Sequence, residues 1–121
     1  MNKKEYFESL SFEPRIIIFQ VGKHKKALRL AQEKLKLIED NGIEVTLRVF
    51  DQEYLPHQME ADIMEMSPWV DGIIIQKPLP DGFDIEKMRG LIPESHTIDD
   101  NNPGVIIQNF IYKIEQKTKK N

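Results

Sequence analysis

Residues 70–80 read VDGIIIQKPLP, an apolar run that stops at an amide side chain and then loses two backbone donors to Pro78 and Pro80. A short, nearly continuous hydrophobic run bounded by turn residues fits a strand covered on both faces of a parallel sheet. Two companions precede it: RIIIFQV (15–21) is equally continuous, and IEVTLRVF (43–50) alternates, as a strand at a sheet edge does. Between the runs, helical spacing covers about 24–41 and 56–66, with Pro56 suited to a first turn and Asn41-Gly42 suited to a helix end. This β-α-β-α-β order predicts an α/β fold: a three-layer open sheet with parallel strands and helices on both faces. Residues 84–92 read as a short third helix with Asp84 as its cap, and 104–117 as a further helix. No repeat or linker divides the chain, so residues 1–121 are expected to form one domain.

Composition narrows the function. Of 121 residues, 40% are hydrophobic and 31% charged, the balance of a globular chain rather than a disordered one. A net charge of -3 gives no electrostatic reason to expect nucleic acid or an anionic membrane as partner. The basic tail KIEQKTKKN is explained by a solvated terminus. With no cysteine, disulfides, thiolate nucleophiles and zinc–cysteine sites are excluded. No run approaches the ~20 apolar residues of a membrane span, and MNKKEYFESL lacks a signal-peptide core. A cytoplasmic protein is the expectation.

Lys34 stands out on the first long helix. At about 100° per residue from Ala27, the residues Ile38, Ala31, Leu35 and Leu28 span roughly 0° to 100°, and Leu37 and Leu30 fall near 280° and 300°. Arg29, Glu33, Lys36, Glu39 and Asp40 lie opposite, but Lys34 sits near 340°, inside the apolar arc. One reading is a stem that packs while its charge escapes at the flank. The other is an ammonium aimed into a cleft for acid–base chemistry.

Position in the sheet bears on that choice. Open parallel α/β sheets bind ligands beyond the carboxyl ends of their strands, where Gln76 ends the third run. A helix after the first strand starts at the same rim, so Lys34 could approach Gln76 across one pocket. KPLPDG either walls that pocket rigidly or is simply a turn. HTIDDNNPG (96–104) sets Asp99 and Asp100 together in a polar loop, again a turn unless a ligand uses it. His24, His57 and His96 lack metal-ligand spacing, and no residue is assigned to a metal. His24-Lys25-Lys26 near a helix start could attract an anion, although a solvated first turn explains it. G-x-G-x-x-G and P-loop fingerprints are absent.

Together these segments resemble the N-terminal catalytic domain of the bifunctional methylenetetrahydrofolate dehydrogenase/cyclohydrolase family. VDGIIIQKPLP is similar to its signature V-D-G-[IL]-[LI]-V-Q-L-P-L-P. VGKHKKALRLAQEKLKLIEDNGI matches V-G-x-x-x-A-S-x-x-Y-V-x-x-K-x-K-x-x-x-x-x-G-I in spacing, with Lys34 on the catalytic lysine. IPESHTIDDNNPG is similar to P-x-K-D-V-D-G-[FL]-x-x-x-N-x-G, with Asp99 on the folate-binding aspartate. The likeness covers about residues 14–104.

The resemblance implies that Lys34 and Gln76 are catalytic. Lys34 would assist proton movement and stabilise charge as water attacks the methenyl carbon, and Gln76 would hold that lysine. Asp99 would accept from the pterin's ring N–H and amino group. Leu30, Pro78, Leu79 and Pro80 would line the folate cleft. It also implies a homodimer and NADP or NAD, the cofactor held by a second, Rossmann-type domain that these 121 residues do not contain. Either the chain is cut from a longer protein or it is a lone catalytic domain; KTKKN reads as a natural terminus.

Departures are specific. The family tyrosine that stacks on substrate becomes Leu30, which offers no ring face or hydroxyl. The A-S pair becomes Lys26-Ala27, and the first leucine of Q-L-P-L-P becomes Lys77. In the last segment the K-D and glycine positions read His96, Thr97 and Asp100, with one residue inserted around Ser95. A degenerate, non-catalytic folate- or protein-binding module is therefore the alternative. A receiver-type regulator, suggested by Asp51 after the second strand, lacks the acidic cluster such proteins carry.

Overall fold

The computed structural model describes residues 2–119. In chain order they form α1 (Lys3–Glu8), β1 (Arg15–Val21), α2 (Lys25–Asp40), β2 (Glu44–Phe50), α3 (Pro56–Met66), β3 (Gly72–Ile75), α4 (Ile85–Leu91) and α5 (Pro103–Lys119). Single 3-10 turns occur at Ser67–Trp69 and Glu94–His96. The three strands are parallel in the order β2-β1-β3, with one of the two continuous apolar runs at the centre and the alternating one at an edge.

Residue parity builds the layers. Successive side chains of a strand point to opposite faces. Ile16, Ile18 and Ile74 meet Phe7 of α1, Ala31 and Ile38 of α2, and Ile106 and Phe110 of α5. Ile17, Phe19, Val21, Ile73 and Ile75 meet Met59 and Ile63 of α3 and Met88 of α4. The sheet is thus covered on both sides, as the two unbroken runs require. Each face has its own core.

The long elements match their sequence expectations at both ends. Gly42 adopts φ +78 just after α2, the left-handed conformation that suits a glycine at a helix end. Asp84 caps α4 by accepting from the Glu86 and Lys87 N–H groups. The third strand is shorter than the apolar run suggests, yet the ladder reaches further: the Gln76 N–H donates to the Phe19 carbonyl at 2.9 Å. β3 is buried along its whole length because the chain returns beside it, in a parallel bridge between Ile73 and Thr97. The sequence had not shown α1, too short for a periodic signal; Asn2 caps it and Phe7 anchors it in the core.

Gly72 is where that returning segment comes closest. A Cβ there would lie 2.4 Å from Ile98 Cδ1 and 3.2 Å from Phe110 Cε1. Ile98 is half-buried beside a cavity and can give in part, whereas Phe110 is fully buried. Gly72→Ala is expected to cost about 1–2 kcal/mol of unfolding free energy through overpacking, read as a lower urea midpoint with an unchanged slope.

Candidate functional site

The even-numbered face of β3 points at α2, and Gln76 continues that parity one residue past the strand. Lys34, on the inward stripe of α2, faces it. Its side chain is buried, and Nζ donates to Gln76 Oε1 at 2.8 Å and to Asp100 Oδ2 at 2.8 Å. The Lys34 and Asp100 side chains are each 9% exposed, so this is an ion pair largely withdrawn from water. Snorkelling is ruled out for this lysine, because its charge ends on two partners inside the protein. Gln76 is oriented from its other end, where Nε2 donates to the Lys77 carbonyl at 2.7 Å, turning the amide oxygen towards the ammonium.

The lysine and amide foreseen from sequence therefore meet. The carboxylate that joins them is Asp100, which the motif alignment had set at the family's glycine position, rather than Asp99. Asp99 is exposed: its backbone N–H is held by Asn109 Oδ1, its carboxylate accepts from the Asn101 N–H, and it borders a cavity of about 400 Å³ beside Tyr112 and Glu115 of α5. The signal for Asp100 was present as the Asp-Asp pair, but the resemblance placed Asp99 on the family aspartate and so drew attention to the outward-facing member.

Beyond Gln76 the Lys77–Pro78 peptide is cis, and Pro78, Leu79 and Pro80 wall a cleft of about 770 Å³. The facing wall is Val21, Gly22 and His24, at the end of β1 and the start of α2. Gly22 has φ +83, with Pro80 Cγ 3.7 Å from where its Cβ would stand, so β1 turns into α2 directly against the proline turn. Lys34, Gln76 and Asp99 are not among this cleft's lining residues. Leu30, half-buried on α2 one turn before Lys34, is also outside it. His24 is an exposed N-cap whose Nδ1 accepts from the Ala27 N–H at 3.4 Å, in keeping with a solvated first turn.

Sequence reasoning also missed Gln20, a fully buried amide one residue before the carboxyl end of the central strand. Turned to suit its surroundings, it donates to the Ala27 carbonyl and accepts from the Leu28 N–H, both at 3.1 Å. It thereby ties β1 to the first turn of the helix that carries Lys34. A polar residue inside RIIIFQV was its visible sign. Among the described residues no group of three His, Asp or Glu side chains could hold a metal ion, and no helix is long and apolar enough to cross a membrane.

With this geometry in view, the comparisons are specific. The family model for the tetrahydrofolate dehydrogenase/cyclohydrolase catalytic domain matches residues 2–99. The chain belongs to that family. Similar relatives are the bifunctional protein FolD of Mycoplasmopsis synoviae, 32% identical over 98 residues, and that of Thermoplasma acidophilum, 29% identical over 97 residues. These alignments cover 80% and 79% of this chain but 35% of either relative, so the chain spans about a third of their length. The crystal structure of the T. acidophilum methylenetetrahydrofolate dehydrogenase/cyclohydrolase superimposes with a TM-score of 0.72 at 27% identity, over 84% of this chain and 39% of that one. The silkworm methylenetetrahydrofolate dehydrogenase gives 0.74 at 22% identity over 93% and 38%, a likeness of fold alone.

The loop carrying Asp100 includes a titratable group set against its surroundings. Burial first, then the Lys117 ammonium, push the His96 imidazole below its ordinary 6.5, while Asp71 and backbone groups of Val70 and Ser67 pull the other way. As pH falls below 6.5 the unfolded chain binds the proton more readily, so this contribution to stability is complete above that pH and lost as pH drops through the folded value. Thermal midpoints should fall between about pH 7.5 and 5, and H96Q should show a shallower fall over the same range.

Proposed function

We propose that this chain is the folate-site domain of a methylenetetrahydrofolate dehydrogenase/methenyltetrahydrofolate cyclohydrolase, acting in one-carbon metabolism. The observation that carries the proposal is the buried Lys34 ammonium held 2.8 Å from both Gln76 and Asp100. A lysine fixed this way can stabilise negative charge and pass a proton as water adds to the methenyl carbon. Gln76 sets its direction. Asp99 is the candidate acceptor for the pterin edge, and Leu30, Pro78, Leu79 and Pro80 are the candidate apolar contacts, with the proline-turn cleft as the route along which the rest of the folate would lie. The cleft's volume, about 770 Å³, lies within the ~300–1,000 Å³ of small-molecule sites.

Hydride transfer needs a nicotinamide cofactor, NADP or NAD in this family. The residues present do not fit one: the β1–α2 turn carries the single glycine Gly22 and opens onto the proline turn, and no dinucleotide fingerprint occurs in the sequence. No cofactor-binding residue is assigned, and the step proposed for this chain is hydrolysis. Homodimerisation and a cytoplasmic setting belong to the same proposal, by family resemblance. Sedimentation at twice the 14.2 kDa chain mass would support the first.

Leu30 favours a second reading, in which the chain binds a folate or a protein without catalysis, since a leucine offers neither ring face nor hydroxyl where the family has tyrosine. One assay separates the two. The loss of methenyltetrahydrofolate absorbance should run faster with the protein than without it, and K34M should return it to the spontaneous rate, a drop of about a hundredfold or more for a lost acid–base group. Equal rates with and without the native chain would leave only binding, which calorimetry with tetrahydrofolate derivatives would then measure.

A further inference from the structure

We propose that Asp100 is the positioning residue for Lys34. This inference rests on the folate-site reading only for its ligand; the positioning itself is a property of the chain. An ammonium has three N–H donors. Gln76 Oε1 and Asp100 Oδ2 take two of them at 2.8 Å each, which leaves one for an acceptor on a bound molecule. Gln76 alone could direct the lysine but could not balance its charge. In a pocket this dry an uncompensated ammonium is driven towards solvent. Asp100 keeps it in.

The contact is built from several sides. The segment leading to Asp100 joins the sheet through the Ile73–Thr97 bridge and packs Ile98 over Gly72. From α5, the Lys113 ammonium donates to the Glu94 carbonyl at 2.8 Å, to Glu94 Oε1 at 3.0 Å and to Thr97 Oγ1 at 2.9 Å. Asn109, one helical turn earlier, accepts from the Asp99 N–H at 2.8 Å. Asp100 therefore leaves a tethered stretch of backbone and arrives at Lys34 with little freedom. The consequence for the proposed reaction is that Lys34 meets substrate as one half of a neutral pair with a single free donor, suited to an acceptor atom at the one-carbon bridge.

The test reads Lys34 directly. Native protein and D100N are treated briefly with an amine-acylating reagent, and labelling at each lysine is followed by mass spectrometry. The exposed Lys36 and Lys87 serve as references in the same sample. In the native chain Lys34 should label slowly. In D100N it should label faster by about tenfold while Lys36 and Lys87 keep their rates, because the charge that held it is gone. Unchanged labelling of Lys34 in D100N overturns the proposal. A rise at every lysine would mean general unfolding, and D100S, which lacks the carboxylate but is smaller, then decides by the same criterion.

A second measurement uses folinate as the probe. Calorimetry should show D100N binding it about tenfold more weakly than the native chain, and no weaker than native-like when both are placed in a K34M background, because Asp100 acts through Lys34. An equal loss in both backgrounds overturns the positioning role in favour of a merely structural one. If the native chain does not bind folinate, the folate reading fails while the labelling result still decides the role of Asp100.

Discussion

A lysine charge held away from water is the constraint around which this molecule is arranged. Burying an ammonium is costly, and an ion pair in a dry interior often repays no more than its own desolvation. Lys34 is therefore poorly explained as a device for stability. It is tolerated because both its partners are rigid: Gln76 is fixed by its backbone bond to β1 and by its own side-chain bond to Lys77, and Asp100 by the tethers from α5. Removing the Asp100 carboxylate would leave a buried charge without compensation, which is the expensive case.

The surrounding fold serves that arrangement. β1 lies between its two neighbours and delivers Gln20 to the base of α2, so the helix bearing Lys34 is pinned where it begins. β3 delivers Gln76 on the face that α2 covers. The turn through Pro78 and Pro80 then bends away from the sheet to wall the neighbouring cleft, and it needs no ladder hydrogen bonds to do so. Amide and prolines face different surroundings: one meets the lysine, the others line the cleft. On the opposite face, Phe19, Phe50, Tyr54 and Phe83 form a series of stacked rings, and the Tyr54 hydroxyl donates to Asp62. Burial and that acceptor push the Tyr54 hydroxyl's pKa well up, so it stays a donor.

Much of this was legible in advance. The two unbroken runs identified the covered strands, the alternating run identified an edge, and Asn41-Gly42 and Asp84 marked helix ends whose chemistry is local. Lys34 was visible because helical geometry is regular enough for one misplaced charge to show. What escaped had no local signature. α1 is a helix of six residues, too few for periodicity to speak. Asp99 and Asp100 differ by one position in a loop, and in a loop no period says which of two neighbours points inward.

The amino-acid order by itself determined the parallel α/β class and the positions of the strands and longer helices, because these follow from periodicity and capping, and it marked Lys34 and Gln76 as candidates for one strand-end site. Only the tertiary structure decided that Asp100 completes the cluster and that Asp99 faces outward. Asp100 and Lys34 are 66 residues apart in sequence. Their meeting depends on how α5 and the edge of β3 clamp the intervening loop, and such a constraint is written in no single stretch of chain.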